Sequence, residues 1–344
     1  MKRSRITLAD VAAVAKVDRA VVSRVVNKDP TLSIRPETRE RVLAAIEELG
    51  YRPNVAARSL RTSRAHMFGL FIPDFANPVY AEIIKGAEAE AASQGYVLVT
   101  GSASGAALGD YMDRIGQGRI DGLLLAGTGD ESGLIAQLDR AAIPWLMLNN
   151  RSRSVKRYVI LDDARAAALA VEHLVRLGHR RIAHLAGPSR ADTATRRSAG
   201  YSAAMRAAGL PEGQVVAADY TPAGGAAAMA RLLGAPERPT AVFVANVASA
   251  IGAMEGARAA GLEIPRDVSI VAVHDLELAG YLNPALTTVR MPLGELGRRG
   301  VTLLAALAPE DTVAEVLAGP IQLIQRQSTA PPAPGGGDVL RTGT

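Results

Sequence analysis

From residue 67 onward, short apolar runs alternate with stretches of helical period. The runs are F-G-L-F-I (68–72), Y-V-L-V (96–99), G-L-L-L (122–125), I-P-W-L-M-L (143–148) and Y-V-I-L (158–161), followed by I-A-H-L (182–185), A-V-F-V (241–244) and V-S-I-V-A-V (268–273). A run this uniformly apolar is buried on both faces, which is the environment of a strand in a parallel sheet covered by its crossover helices. With about 260 residues organised in this way, two doubly wound subdomains accommodate the pattern better than one sheet. Ligands of such sheets bind in the crevice at the carboxyl ends of the strands.

The 64 residues ahead of this body differ in charge. The chain carries 39 Lys/Arg and 34 Asp/Glu, of which 14 and 7 fall in residues 1–64, leaving 25 and 27 for the rest. A net charge of +5 is therefore a +7 segment joined to a body of −2. A compact basic module ahead of a near-neutral body is the footprint of a nucleic-acid-binding head, although an ordinary solvated basic face carries the same charge. The 4% aromatic content argues against an aromatic-rich carbohydrate module, and no apolar run reaches the roughly 18 residues a membrane span needs. Met1 to Ile6 leads into T-L-A-D rather than an apolar secretory core, so a cytoplasmic protein is expected. The absence of cysteine excludes disulfides, thiolate nucleophiles and Cys-type zinc sites.

Within the head, Thr7 and Asp10 read as a capping box before a first helix with Leu8, Val11, Ala12 and Ala15 on one face. After a tight turn, Asp18 is a good N-cap for a second helix, 19–27, whose Val21, Val22 and Val25 point inward. This is a helix-turn-helix pattern. The start of the second helix enters the major groove in such motifs, leaving Arg19, Ala20 and Arg24 able to reach base edges. Pro36 at a first helical position and Gly50 after Leu49 bound a third helix, which Val42, Leu43, Ile46 and Leu49 seal onto the others. Any three-helix bundle could show this much. Asn54 can then cap a short helix, V-A-A-R-S-L-R (55–61), too short to stand alone.

At this point the sequence resembles the LacI family of bacterial transcription repressors, through T-L-A-D-V-A (7–12), V-S-R-V-V-N (22–27), E-T-R-E-R-V-L-A-A-I-E-E-L-G-Y-R-P-N (37–54) and A-R-S-L-R-T (57–62). The resemblance continues through I-P-D-F-A-N-P (72–78), L-G-H-R-R-I-A-H-L-A-G-P (177–188), R-S-A-G-Y (197–201), G-L-E-I-P-R-D-V-S-I-V-A-V (261–273) and N-P-A-L-T-T-V-R (283–290), spanning nearly the whole chain. It implies an all-α helix-turn-helix head plus two doubly wound parallel-sheet, periplasmic-binding-protein-like subdomains. The DNA-contacting positions it implies are Thr7, Arg19, Ala20, Ser23, Arg24, Asn27, Asn54, Ala57 and Leu60. Residues 54–60 would be a hinge helix whose Leu60 wedges into the minor groove and kinks the duplex, a use of apolar side chains that repays unstacking with new contacts. Where relatives often cap the third helix with serine, this chain has Arg35.

Carried over in the same way, the effector-contacting positions are Asp74, Asn77, Tyr80, Asn149, Arg197, Tyr220, Asn246, Val247 and His274. Tyr80 and Tyr220 would be flat walls, and Arg197 a fork for hydroxyls or a carboxylate. Relatives that bind neutral sugars commonly place aspartates where this chain has Asn149, Val247 and His274. Carboxylates accept hydroxyl hydrogens but repel anions, so an anionic effector such as a sugar acid, a sugar phosphate or another small carboxylate is the expectation, with drift, or a fit to an uncharged non-sugar ring, as the alternative.

The resulting division is a head at 1–53, hinge and linker at 54–65, and an effector body at 66–327. Lobe 1 comprises 66–162 plus 290–327 and lobe 2 comprises 163–289. A disordered tail at 328–344 is expected from its Pro/Gly-rich P-P-A-P-G-G-G. Other motifs fail: G-T-G-D-E-S-G (127–133) is one residue too long for a dinucleotide loop, and no H-E-x-x-H or phosphate-cradling loop occurs. His66, His173, His179, His184 and His274 lack metal-ligand spacing, and the first four read as structural. The expected protein is a dimeric regulator of double-stranded operator DNA, responsive to a small molecule, with no metal, cofactor or membrane partner and no enzymatic role. A solute-binding receptor and a sugar-processing enzyme on the same layout are the other classes.

Overall fold

The computed structural model describes residues 6–27, 29–51, 64–102, 120–127, 131–141, 143–152, 157–308 and 310–333. Contacts divide the chain into two compact units, residues 1–65 and 66–344.

Among the described residues the first unit has three helices: α1 (Leu8–Ala15), α2 (Arg19–Val26) and α3 (Pro36–Leu49). Val11, Ala15, Val22, Val25, Val42, Ala45 and Tyr51 form its core. Leu43, expected to help seal α3, is instead 51% exposed, and Ala45 takes the inward place. Ala45 follows Val42 at i+3 on the inward stripe, whereas Leu43 falls one residue, about 100°, off it.

The second unit holds two six-stranded sheets. Lobe 1 orders its strands β11 (Val313–Val316), β5 (Arg157–Ile160), β4 (Trp145–Leu148), β3 (Gly122–Leu125), β1 (Met67–Ile72) and β2 (Val97–Ser102). Lobe 2 orders β12 (Gln322–Ile324), β10 (Thr287–Arg290), β9 (Ser269–Val273), β8 (Ala241–Val244), β6 (Ile182–Ala186) and β7 (Val215–Ala217). Every pairing is parallel except β10 with β12. The central strands β3, β4, β6, β8 and β9 are buried along their whole length, which is why they read as unbroken apolar runs.

In lobe 1, α4 (Val79–Ser93) lies against α10 (Leu293–Ala306) so closely that a Cβ on Gly86 would land on the Gly294 carbonyl. In lobe 2, α6 (Asp163–Arg176) packs on α7 (Asp192–Ala207), and α8 (Pro222–Leu233) on α9 (Val247–Ala259). The helix α5 (Glu131–Ala141) lies between β3 and β4 in the chain.

The lobes differ from expectation at the C-terminal end. Residues 290–327 do not all return to lobe 1: α10 and β11 do, but β12 pairs with β10 and brings the chain back to lobe 2. The crossing is therefore threefold. A tail beginning at Ser328 also needs correction at its start, because Ser328 is fully buried and donates to the Ile270 carbonyl at 2.6 Å. His173 and His179 hold the next two residues, through Thr329 Oγ1 at 3.0 Å and the Ala330 carbonyl at 2.9 Å. Residues 334–344 lie outside the described residues. Among the described residues no helix is long and apolar enough to cross a membrane.

Candidate functional site

Two sites emerge, one in each unit. In the head, Thr7 donates to Asp10 Oδ2 at 2.7 Å while its own hydroxyl accepts from the Asp10 amide, completing the capping box that starts α1. Asp18 accepts from the Ala20 amide at 2.7 Å and starts α2. With Val22 and Val25 turned inward, Ala20, Ser23, Arg24 and Asn27 follow one another at i, i+3, i+4 and i+7 on the opposite face. Arg19, Ala20, Arg24 and Asn27 are exposed and Ser23 is half-buried.

Arg24 is not a loose side chain. Its Nε donates to Asp29 at 2.7 Å and its Nη2 to Thr31 at 2.8 Å, an arrangement the sequence gives no sign of. The Arg24 bond, followed by those that the Thr31 hydroxyl and amide donate to Asp29, holds the Asp29 carboxyl down at about 2. Asn27 donates back to the Ser23 carbonyl at 2.6 Å. Arg35, in the N-cap place of α3, makes no capping bond. Asn54, Ala57 and Leu60 lie outside the described residues.

The second site lies where the carboxyl ends of the strands of the two lobes meet. Lobe 1 contributes Asp74 and Asn77 after β1, Tyr80 at the start of α4, and Asn149 after β4. Lobe 2 contributes Arg197 from α7, Tyr220 after β7, Asn246 after β8 and His274 after β9. Gly187 lets Tyr220 lie against the turn after β6, since a Cβ there would enter the ring. The Tyr80 phenol is pushed up by burial and by Tyr220, with Arg197 opposing, so residues from both lobes share one electrostatic environment.

Arg197, 2% exposed, is the hub. Its Nε donates to Asp163 at 2.7 Å, Nη1 to the Ala245 carbonyl at 2.6 Å, and Nη2 pairs with His274 Nε2 at 3.1 Å. Its Cζ lies 6.0 Å from the Tyr220 ring centre. Burial, the largest single influence, would lower its pKa, but the Asp163 charge and hydrogen bond together with the neighbouring Tyr220 and Tyr80 outweigh it and the group stays cationic. Burial and the Arg197 charge drive His274 well below its ordinary value, so its ring is neutral.

Asp163 and Arg196 were not singled out from sequence, yet they organise the site. Fully buried Asp163 accepts from Arg196 as well as Arg197. Arg196 also donates to the Leu161 carbonyl at 2.7 Å, at the crossing between lobes, and to Asp192 at 2.8 Å. Asp192 in turn accepts from Arg151 of lobe 1 at 3.1 Å. The only sequence signal was the doublets D-D (162–163), at the start of α6, and R-R (196–197), in the second turn of α7.

Asn149 and His274 both adopt left-handed backbone conformations, at φ 55° and 77°. Each is held by a 2.9 Å amide bond to a neighbouring strand, from Asn149 to Val159 and from His274 to Val289. Four side chains of this region bury a polar atom without a hydrogen-bond partner: Asn149 Oδ1, Arg196 Nη2, Asn246 Nδ2 and His274 Nδ1. Asp74 and Asn77 mainly shape their own turn, accepting from the amides of Ala76 and Val79. Val247 is fully buried in α9 and belongs to the core. A second carboxylate hub, Asp275, takes bonds from Thr288, Arg290 and Arg326 next to the second crossing; burial pushes its pKa up but these bonds outweigh it.

The other histidines do different work. His184 is stacked on Phe243 and Tyr201 at 4.6 and 5.1 Å between ring centres, and burial lowers it to about 4. Among the described residues no three His, Cys, Asp or Glu side chains converge as a metal site.

Residues 7–54 match the model of the lacI family of bacterial regulatory proteins, and residues 171–329 that of a periplasmic binding protein-like domain. The chain is 36% identical over 304 residues to the ribose operon repressor of Escherichia coli, covering 87% of this chain and 92% of that one. Its fold is similar to the lac repressor dimer bound to operator and the anti-inducer ONPF, with a TM-score of 0.83, 29% identity and coverage of 95% and 100%. It is also similar to a transcriptional regulator CelR–cellobiose complex, with a TM-score of 0.71, 33% identity and coverage of 94% and 100%.

Proposed function

The chain belongs to the lacI family of bacterial regulatory proteins, and from that premise we propose that it is a cytoplasmic repressor of transcription that binds a pseudo-palindromic operator as a homodimer and responds to a small molecule held between its lobes. The observation that carries this reading is the presence in one chain of an exposed polar face on α2 and, in the other unit, of buried unpartnered polar groups where the lobes meet. Arg19, Ala20, Ser23, Arg24 and Asn27 are assigned to the major groove, with Thr7 at its edge; Asn54, Ala57 and Leu60 are assigned to the hinge. The effector residues are Asp74, Asn77, Tyr80, Asn149, Arg197, Tyr220, Asn246 and His274. The proposed boundaries are a head at 1–53, a linker at 54–65 and a body from 66 to about 330.

A second copy has surfaces to cover. Val97 and Val99 on the edge strand β2 are 60% and 41% exposed, and Tyr281 in lobe 2 is 81% exposed. A twofold contact would bury these faces and place two heads on one operator. Lobe closure around the ligand then alters the spacing of the two hinge segments and hence operator affinity, the sign following from the state the ligand prefers. No catalytic role is assigned, and any ligand is expected to leave unchanged.

Operator selection from random duplex DNA, with and without metabolites, tests this directly. The expected outcome is an enriched two-half-site sequence whose recovery changes with one class of metabolite. A pool with no enriched site would overturn the reading. Arg24→Ala should cost about 1–3 kcal/mol of discrimination at one base pair per half-site, measured on operator variants.

A further inference from the structure

We propose that the ligand of the interlobe site is a small hydroxylated carboxylate of the sugar-acid class, with its carboxylate on lobe 2 and its hydroxyls towards lobe 1. This rests on the reading of that site as the effector site, and concerns the chemistry of its occupant.

The argument is an inventory of donors and acceptors. Arg197 Nη2 can only donate, so His274 Nε2, 3.1 Å away, must accept. A neutral imidazole that accepts at Nε2 carries its proton at Nδ1, and Nδ1 is buried without a partner. His274 is therefore an unused donor. Asn246 is oriented just as firmly: its Oδ1 accepts from the Ser249 amide at 2.9 Å to cap α9, which fixes Nδ2 as the other end, again buried and unpartnered. Asn246 directly follows Ala245, whose carbonyl holds Arg197 Nη1. A guanidinium has five N–H donors, and Arg197 spends three on Asp163, Ala245 and His274. Arg196 adds a further unpartnered donor at Nη2.

Around Arg197, lobe 2 thus offers donors from His274, Asn246, Arg196 and Arg197 itself. The carboxylate among them, Asp163, is already committed to both arginines. The ion cluster of Arg151, Arg196, Arg197, Asp163 and Asp192 carries one positive charge in excess. A neutral polyol has hydroxyl hydrogens to place, and the buried unpartnered acceptor of lobe 2 among the described residues, His184 Nε2, belongs to a ring enclosed in the stack with Phe243 and Tyr201. A carboxylate offers about four lone-pair sites and matches both the donors and the charge. Lobe 1 has the opposite character: among the described residues its buried unpartnered atom is the acceptor Asn149 Oδ1, and the Asp74 carboxylate acts on the Tyr80 phenol. Tyr80 and Tyr220 provide flat faces for the carbon frame.

The full-length chain should be titrated, by calorimetry and thermal shift, with matched pairs: D-glucose and D-gluconate, D-galactose and D-galacturonate, D-ribose and D-ribonate. Hypoxanthine serves as an uncharged planar compound rich in acceptors. At least one acid is expected to raise the Tm at millimolar concentration while its parent sugar does not. Asn246→Asp keeps a good N-cap but replaces a donor by a negative charge, and should weaken that acid about tenfold or more in a variant shown to be folded by its cooperative ligand-free unfolding. His274→Asp is the second variant and should shift preference towards the parent sugar. The proposal is overturned if a neutral sugar or hypoxanthine stabilises the chain at least as well as every acid, if no acid binds, or if Asn246→Asp leaves acid affinity unchanged. Operator binding, scored separately on the same samples, tells the outcomes apart: retained operator binding with no acid response removes only the ligand class, whereas loss of operator recognition in a chain that still binds the acid removes the regulator reading.

Discussion

Asp163 has two guanidiniums to neutralise and no solvent to share the task. Removing one partner of a buried ion pair leaves an uncompensated charge, so Asp163→Asn is expected to destabilise lobe 2 by about 3–5 kcal/mol, read as a lower urea midpoint. The buried histidines act in the opposite sense, by refusing charge. His173 and His184 are lowered to about 4 by burial, from an ordinary value near 6.5. Between those values the unfolded chain takes up protons that the folded chain does not, so stability is full above about 6.5 and is lost as the pH falls towards 4. The Tm should therefore drop from pH 7 to 5, and His173→Gln should flatten the fall; an unchanged slope would show that His173 is not among the groups responsible. Single residues were legible in proportion to how local their role is. The capping pair Thr7 and Asp10 could be read because the partners are three residues apart, and Arg197 through the family motif. Asp163 could not, since its partners lie 33 and 34 residues away and nothing in a linear pattern joins them. Nor could the Arg24–Asp29 bond, which depends on how the turn after α2 folds back.

At the level of elements, what could be read depended on burial. The fully buried strands announced themselves as apolar runs, but β7, β10, β11 and β12 did not: β7 and β11 are exposed along one side, β12 is three residues long with none buried, and β10 buries two threonines instead of aliphatics. Missing β12 is what misplaced the end of the chain, because three residues at a sheet edge carry too little pattern to reveal a return to lobe 2. Helix ends were clearer, since Pro36 and Gly50 mark α3 by backbone geometry alone, and Gly50 takes the left-handed conformation at φ 60°. The same helix leaves its N-cap position without a side-chain bond. Arg35→Ser supplies an acceptor for the free amides of the first turn and should stabilise the head by about 1 kcal/mol, measured by helix ellipticity during urea unfolding of the full chain. If Arg35 instead contacts a phosphate, the same variant will show weaker operator binding at low salt, so the two measurements separate a stability role from a binding one.

The whole body is two lobes joined by three crossings, and its behaviour depends on what spans the gap between them. Arg196 grips the Leu161 carbonyl at one crossing through a buried bond, whereas Asp275 holds Arg290 and Arg326 beside another through bonds that are exposed or only partly buried. The Arg151–Asp192 pair is different, because Arg151 belongs to lobe 1 and is 44% exposed on its side chain, while Asp192 begins α7 in lobe 2. An exposed ion pair contributes little to stability, roughly 0.2–1 kcal/mol. Its effect on function can still be measurable, since a contact made only when the lobes are together biases the open–closed equilibrium by its full worth. Arg151→Ala is therefore expected to leave the unfolding midpoint nearly unchanged while weakening the ligand about two- to fivefold and reducing, in the same proportion, the ligand's influence on operator affinity. Raising the salt concentration should mimic the substitution in the parent protein and have less effect in the variant, because screening acts on an exposed pair far more than on buried Asp163 with Arg197. Equal salt dependence of ligand binding in the two proteins would show that the Arg151–Asp192 pair does not couple the lobes.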